Sequence, residues 1–143
     1  MGIIHLCERQ ENVIFVVWDG AVTGGEWLAH ARSLLVEPEW PIISRFIVDL
    51  RTVSNTESIG DEEIEQAVAI FTADPGIVAE KRVAIVATEE FRKAKRFVEL
   101  VARFSSTIVV FNTLDTACMF LGISLVETRK TLEDLRADLR ACG

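Results

Sequence analysis

Alternating strand and helix signals behind an opening pair of strands predict an α/β fold. The expected form is a mixed five-stranded sheet that starts with an N-terminal hairpin, covered by about four helices plus a C-terminal helix. Three observations carry that prediction. The strand-like runs Ile3–Glu8 and Val13–Trp18 are separated only by the polar turn Arg9-Gln10-Glu11-Asn12, too short for the crossover that a parallel pair requires. Further on, short runs of β-branched and aliphatic residues alternate with stretches whose apolar residues recur at helical spacing. Finally, capping-box spacings (Thr23 to Glu26, Ser58 to Asp61, Thr131 to Asp134) stand where helices should begin.

Taken in order, Ile3–Glu8 places Ile4, Leu6 and Glu8 on one face and Ile3, His5 and Cys7 on the other. Val13–Trp18 is continuously apolar, as a strand covered on both faces is, and Asp19-Gly20 ends it. A helix opens after Thr23, with Trp27, Ala31, Leu34 and Leu35 as its inner face, and closes at Glu37-Pro38-Glu39-Trp40-Pro41. The third strand is Ile43–Leu50, followed by a polar loop. Ser58 then caps a helix whose stripe is Ile64, Ala67, Val68 and Phe71, and Asp74-Pro75-Gly76 makes a turn. Val83–Ala87 is a fourth strand. The helix from Thr88-Glu89-Glu90 is apolar at Phe91, Ala94, Phe97, Val98 and Val101. Its basic face, with Lys81 and Arg82 nearby, reads as solvated surface. Ile108–Phe111 is the fifth strand. A short helix capped by Asn112 or Thr113 ends at Gly122, and a last helix restarts at Thr131 with a Leu132/Leu135/Leu139 seam.

Composition bounds the function. A length of 143 residues, half of them hydrophobic, suits one domain over residues 1–143 with a substantial core. A net charge of −7 speaks against general nucleic-acid binding. That charge is uneven: residues 1–80 hold 4 Lys+Arg against 14 Asp+Glu, residues 81–143 hold 11 against 8. No apolar run is long enough to span a membrane and no secretory leader is visible, so a cytoplasmic location is expected. Three cysteines without a CxxC pair make a disulfide framework improbable.

Three segments, in this order, resemble the STAS domain family, the fold of bacterial anti-sigma-factor antagonists, and particularly its SpoIIAA-like branch. They are Val13–Gly20 with Thr23–Leu35, Val48–Val53 through Ser58-Ile59-Gly60, and Ile108–Asn112 with Leu114–Gly122. The resemblance covers residues 13–122 and leaves 124–143 as a C-terminal helical extension. It implies a non-catalytic regulatory or protein-interaction domain. Family antagonists carry Asp-Ser-Ser-Gly in the loop, the second serine being phosphorylated; here the aligned residues are Glu57-Ser58-Ile59-Gly60. Ile59 has no hydroxyl, so the usual serine switch is not expected.

The binding or interaction surface is accordingly placed on Asp49, Arg51, Ser54, Asn55, Glu57, Ser58 and Gly60, with Ser58 as helix cap or, alternatively, phosphosite. Asp49 is expected to anchor the loop on backbone amides. A protein partner is expected, a homodimer is compatible, and neither nucleic acid nor a membrane span is. The alternative is a carrier for a hydrophobic small molecule or lipid, with a pocket between sheet and helix lined by Trp, Phe and aliphatic residues; the SpoIIAA-like branch is loosely linked to lipid-binding folds. An enzyme using Asp19 and Asp49 comes third. No cofactor, catalytic residue or metal is assigned. His5 and Cys7 share a strand face but lack a second ligand pair, and Cys118 lies on an apolar helix face.

Overall fold

The computed structural model describes residues 2–104 and 107–142. Strand β1 (Ile3–Glu8) pairs antiparallel with β2 (Val13–Ala21), from Ile3 opposite Trp18 to Glu8 opposite Val13. Helix α1 (Gly24–Leu35) leads to β3 (Arg45–Asn55), α2 (Asp61–Phe71) and α3 (Pro75–Ala79) lead to β4 (Arg82–Val86), and α4 (Phe91–Val101) leads to β5 (Thr107–Phe111). Helices α5 (Leu114–Leu121) and α6 (Leu125–Cys142) follow. The five strands lie in the order β1-β2-β3-β4-β5, and every pair after the first is parallel. The α/β class and the mixed sheet with its opening hairpin are therefore as expected.

That strand order decides where the helices go. Each crossover from β2 onward steps one strand in the same direction. Parallel crossovers are right-handed almost without exception, so their helices must share one face. They do: Leu34 of α1, Ile64 and Val68 of α2, Val78 of α3 and Ala94 and Val101 of α4 form one buried cluster with Val16, Phe46 and Ile85 of the sheet. The opposite face would be bare without the C-terminal segments. Leu114, Ala117, Cys118 and Leu121 of α5 and Leu132 and Leu135 of α6 bury Val17, Ile47 and Ala84 there. The extension is thus half the cover of one face, and the leucine seam packs against its own sheet.

Several elements depart from expectation. Strands β2 and β3 run on to Ala21 and Asn55, because Thr52, Val53 and Asn55 pair with Asp19, Gly20 and Ala21 across register shifts. Arg51, Ser54 and Asn55 are therefore strand residues, not loop. Helix α3, read as a turn, forms because Asp74 caps it and Pro75 sits at its first position; with it, five helices precede α6. Helix α6 begins six residues before Thr131: Ser124 Oγ accepts from Glu127 N–H (3.2 Å), and Thr131 is mid-helix. The Thr23/Glu26 capping box forms as predicted, as does the left-handed Gly122 stop, at φ 70°. Among the described residues no helix is long and apolar enough to cross a membrane.

Candidate functional site

The α1–α4 face holds a cavity of about 110 Å³. Strand periodicity builds its floor: Val16 and Trp18 of β2, Phe46, Val48 and Leu50 of β3, and Val83 and Ile85 of β4 point the same way. Helices α1, α2 and α4 supply the roof through Trp27, Ile64 and Phe97, and Ile59 and Thr56 of the 56–60 loop close one side. All three tryptophans of the chain, Trp18, Trp27 and Trp40, line it. Their rings stack edge-on with one another and with phenylalanines, Trp18 on Trp27 at 5.6 Å and Trp27 on Phe97 at 5.6 Å between centroids.

Polar groups touch this cavity at two places. Near the start of α4, Lys93 Nζ donates to the Thr56 carbonyl (2.6 Å) and hydroxyl (3.0 Å), and the Thr56 hydroxyl donates to Glu90 Oε2 (2.7 Å). Glu90 and Lys93 are half-buried, which marks the end nearer to solvent. Deeper in lies Lys81, only 2% exposed, donating to the carbonyls of Trp40 and Ile43 with its ammonium 4.3 Å from the Trp40 ring. Burial pushes this amine down to about 8. Lys81 was expected in solvent; three backbone and ring partners, all distant in sequence, take it inside instead. His30 also lines the cavity, and burial, with the neighbouring His5, holds it down to about 4, so it is neutral at pH 7.

The predicted surface residues do not form one surface. Asp49 is 0% exposed and faces α6. Its carboxylate accepts from the Arg51 backbone (3.0 Å), Arg51 Nε and Nη2 (2.9 Å each) and Arg136 Nη2 (2.6 Å). Burial raises the Asp49 carboxyl, but the Arg51 hydrogen bonds and the charges of Arg51 and Arg136 outweigh it and hold the group below the usual carboxylate range. The expected backbone anchor exists; the two guanidinium partners were not foreseen. Asp19 is gripped by Arg140 through two bonds of 2.9 Å, which likewise lower its pKa. Each carboxylate thus has its own arginine, and a group held ionised is a weak proton carrier near neutrality.

At the end of β3 Ser54 and Asn55 are exposed, as are Glu57, Ser58 and Gly60 on the loop that follows, while Ile59 is 4% exposed and packs into the cavity wall. Ile59, which has no hydroxyl, is thus a core residue. Ser58 does not cap α2. Its Oγ accepts from Gly24 N–H at 3.0 Å, satisfying a free donor of α1, and the cap position of α2 falls instead to Gly60, whose N–H donates to Glu63 Oε1 (2.8 Å). The two helix starts abut so closely that a Cβ on Gly24 would lie 2.6 Å from Glu63 Cγ. No protein-family model and no curated protein matches this chain.

Proposed function

We propose that this chain is a non-catalytic binding module of STAS type whose ligand is a small apolar or amphipathic molecule held between the sheet and helices α1, α2 and α4. One observation carries the proposal: a cavity walled almost wholly by aromatic and aliphatic side chains, with its few polar groups gathered at Thr56, Glu90 and Lys93 and at Lys81 and His30. Sites for small molecules have this character, apolar walls with a few convergent polar groups. At about 110 Å³ the void is somewhat smaller than an engineered ~150 Å³ cavity that binds benzene. It therefore suits a small ring or the end of an aliphatic chain, with a polar head toward Lys93.

The STAS reading draws support from the ordered resemblance together with the antiparallel first strand pair and the parallel succession behind it. The regulatory role expected of that family attaches to the same place. Thr56 and Ile59 form the cavity wall while Glu57 and Ser58 face solvent, so an occupant that displaces Ile59 alters the outer surface offered to a protein partner.

The tryptophans supply the test. Titration with toluene and with octanoate should shift intrinsic fluorescence saturably, and native mass spectrometry should retain an adduct. Ala94→Leu, which fills space beside α4, should weaken both responses at least tenfold without unfolding the chain. A bare mass together with unsaturable emission for both probes would sink the proposal.

A further inference from the structure

At the outer edge of the sheet, four side chains with metal-binding atoms meet under the end of α1. His5 and Cys7 stand two apart on β1 and point to one face. Glu37 comes from the turn after α1, whose path is fixed by Glu37 N–H donating to the Leu34 carbonyl (3.1 Å) and Trp40 N–H donating to the Glu37 carbonyl (3.0 Å). His5, Cys7 and Glu37 each place one ligand atom within 4.8 Å of the other two, and all three are half-buried. His5 Nε2 lies 2.9 Å from Glu37 Oε1. The other ring nitrogen, Nδ1, lies 3.0 Å from Nε2 of His30, which reaches across from α1.

We infer that this cluster is a binding site for a zinc-class divalent ion, with His5 Nε2, Cys7 Sγ and Glu37 Oε1 as ligands and His30 as the residue that orients His5. The donor set chooses the ion. One sulfur, one imidazole and one carboxylate suit zinc, whereas magnesium and calcium require oxygen throughout. The spacing is compatible. Zinc bonds of about 2.0–2.3 Å place tetrahedral ligand atoms roughly 3.3–3.7 Å apart. Atoms already within 4.8 Å need move only about 1 Å to close on a shared centre. Three protein ligands leave a fourth position for water.

The second histidine makes this more than a chance triad. Ligating histidines characteristically donate their other ring N–H to a partner that fixes the ring. Without an ion, the Glu37 carboxylate can only accept, so His5 Nε2–H donates to it, and in that tautomer Nδ1 is left to accept from His30 Nε2–H. With an ion on His5 Nε2, the proton moves to His5 Nδ1 and is donated to His30 Nε2, whose own proton moves to its Nδ1. The Cys7 thiol gives its proton to solvent. Both rings keep their places. The ion would join the edge strand to the end of α1. His30 also lines the cavity, but the metal site stands on its own ligands and needs no cavity ligand.

Cobalt(II) and zinc titrations of chelator-stripped full-length chain test this, in a Cys142→Ser background because Cys142 is exposed. One cobalt per chain should bind, with a thiolate-to-metal charge-transfer band and the strong visible absorption of four-coordination, and zinc should displace it. Absence of both bands in that parent chain overturns the inference. Cys7→Ser, nearly isosteric, should abolish the charge-transfer band; a band that survives it overturns the ligand assignment. His30→Phe should weaken zinc about 10–100-fold while the band persists, and an unchanged affinity would remove His30 from the site.

Discussion

Replacing Asp49 with alanine removes the carboxylate that joins β3 to α6. Asp49 is fully buried, while the side chains it pairs, Arg136 and Arg51, are 12% and 30% exposed. Deleting one partner of a buried ion pair typically costs about 3–5 kcal/mol, because the other charge is left uncompensated. Here both arginines can recover part of their hydration, which places the cost near the lower end, about 3 kcal/mol. With an unfolding entropy of about 2.1 cal/mol/K per residue, a chain of 143 residues loses roughly 0.3 kcal/mol per degree, so the melting temperature should fall by about 10 °C. Differential scanning calorimetry reads this directly. A cycle of Asp49→Ala, Arg136→Ala and the double variant should show a coupling of about 1–3 kcal/mol. The pH dependence has a definite sign. The folded-state pKa of Asp49 is depressed, so its contribution is full above the unfolded value of 3.8 and is lost as pH falls through the lower folded value. Asp49→Asn should lack that acid-side loss. A melting shift below about 3 °C, or additive single variants, would refute the clamp.

Ser58→Ala should lower stability by about 1 kcal/mol, the usual worth of a helix-start acceptor, and the loss should appear as faster amide exchange at Gly24 in α1, not in α2. Exchange that rises only at the start of α2 would contradict the cross-helix bond. His30, held at about 4 against an ordinary 6.5, takes up a proton in the unfolded chain before it does so in the folded one. Stability should therefore fall by about 2 kcal/mol as pH drops from about 6.5 to 5 in the presence of a chelator. Denaturant titrations of wild type and His30→Phe should show that slope only in the wild type.

The order of elements was legible because each strand and helix carries a local period, and the first strand and the Thr23 cap were read to the residue. What was missed depended on partners far along the chain. Residues 51–55 have turn chemistry, yet β2 continues beside them and pairing overrides propensity. Ser58 has capping-box spacing to Asp61, but its hydrogen bond goes to Gly24. Lys81 resembles any lysine ahead of a strand; the carbonyls that draw it inside belong to Trp40 and Ile43. His5 and Cys7 were visible as a pair, while Glu37 and His30 join them only once α1 folds back onto the edge strand. The cavity has no local signature at all. Its lining reads as core residue by residue, and only the three-dimensional arrangement shows that the core is not filled.

The uneven charge of the sequence acquires a structural reason from the same contacts. The acidic first part of the chain supplies Asp19 and Asp49, of which Asp49 is paired locally by Arg51. The basic last part returns Arg136 and Arg140 to them along α6. This divides the work between the two faces. One face is fixed by hydrogen-bonded ion pairs that favour a single arrangement of Asp19 and Asp49. The other is held mainly by aromatic and aliphatic contacts around a void, with hydrogen bonds at Thr56, Glu90 and Lys93 and at Lys81 among the polar groups that line it. A ligand that enters the cavity therefore meets its least resistance from α2, α4 and the 56–60 loop, while the α5–α6 side stays in place. The stretch from Asp49 to Gly60 spans both regimes, rigid where it meets Arg136 and adaptable where Ile59 enters the cavity wall. A change of occupancy would thus be expressed at Glu57 and Ser58 rather than across the whole domain.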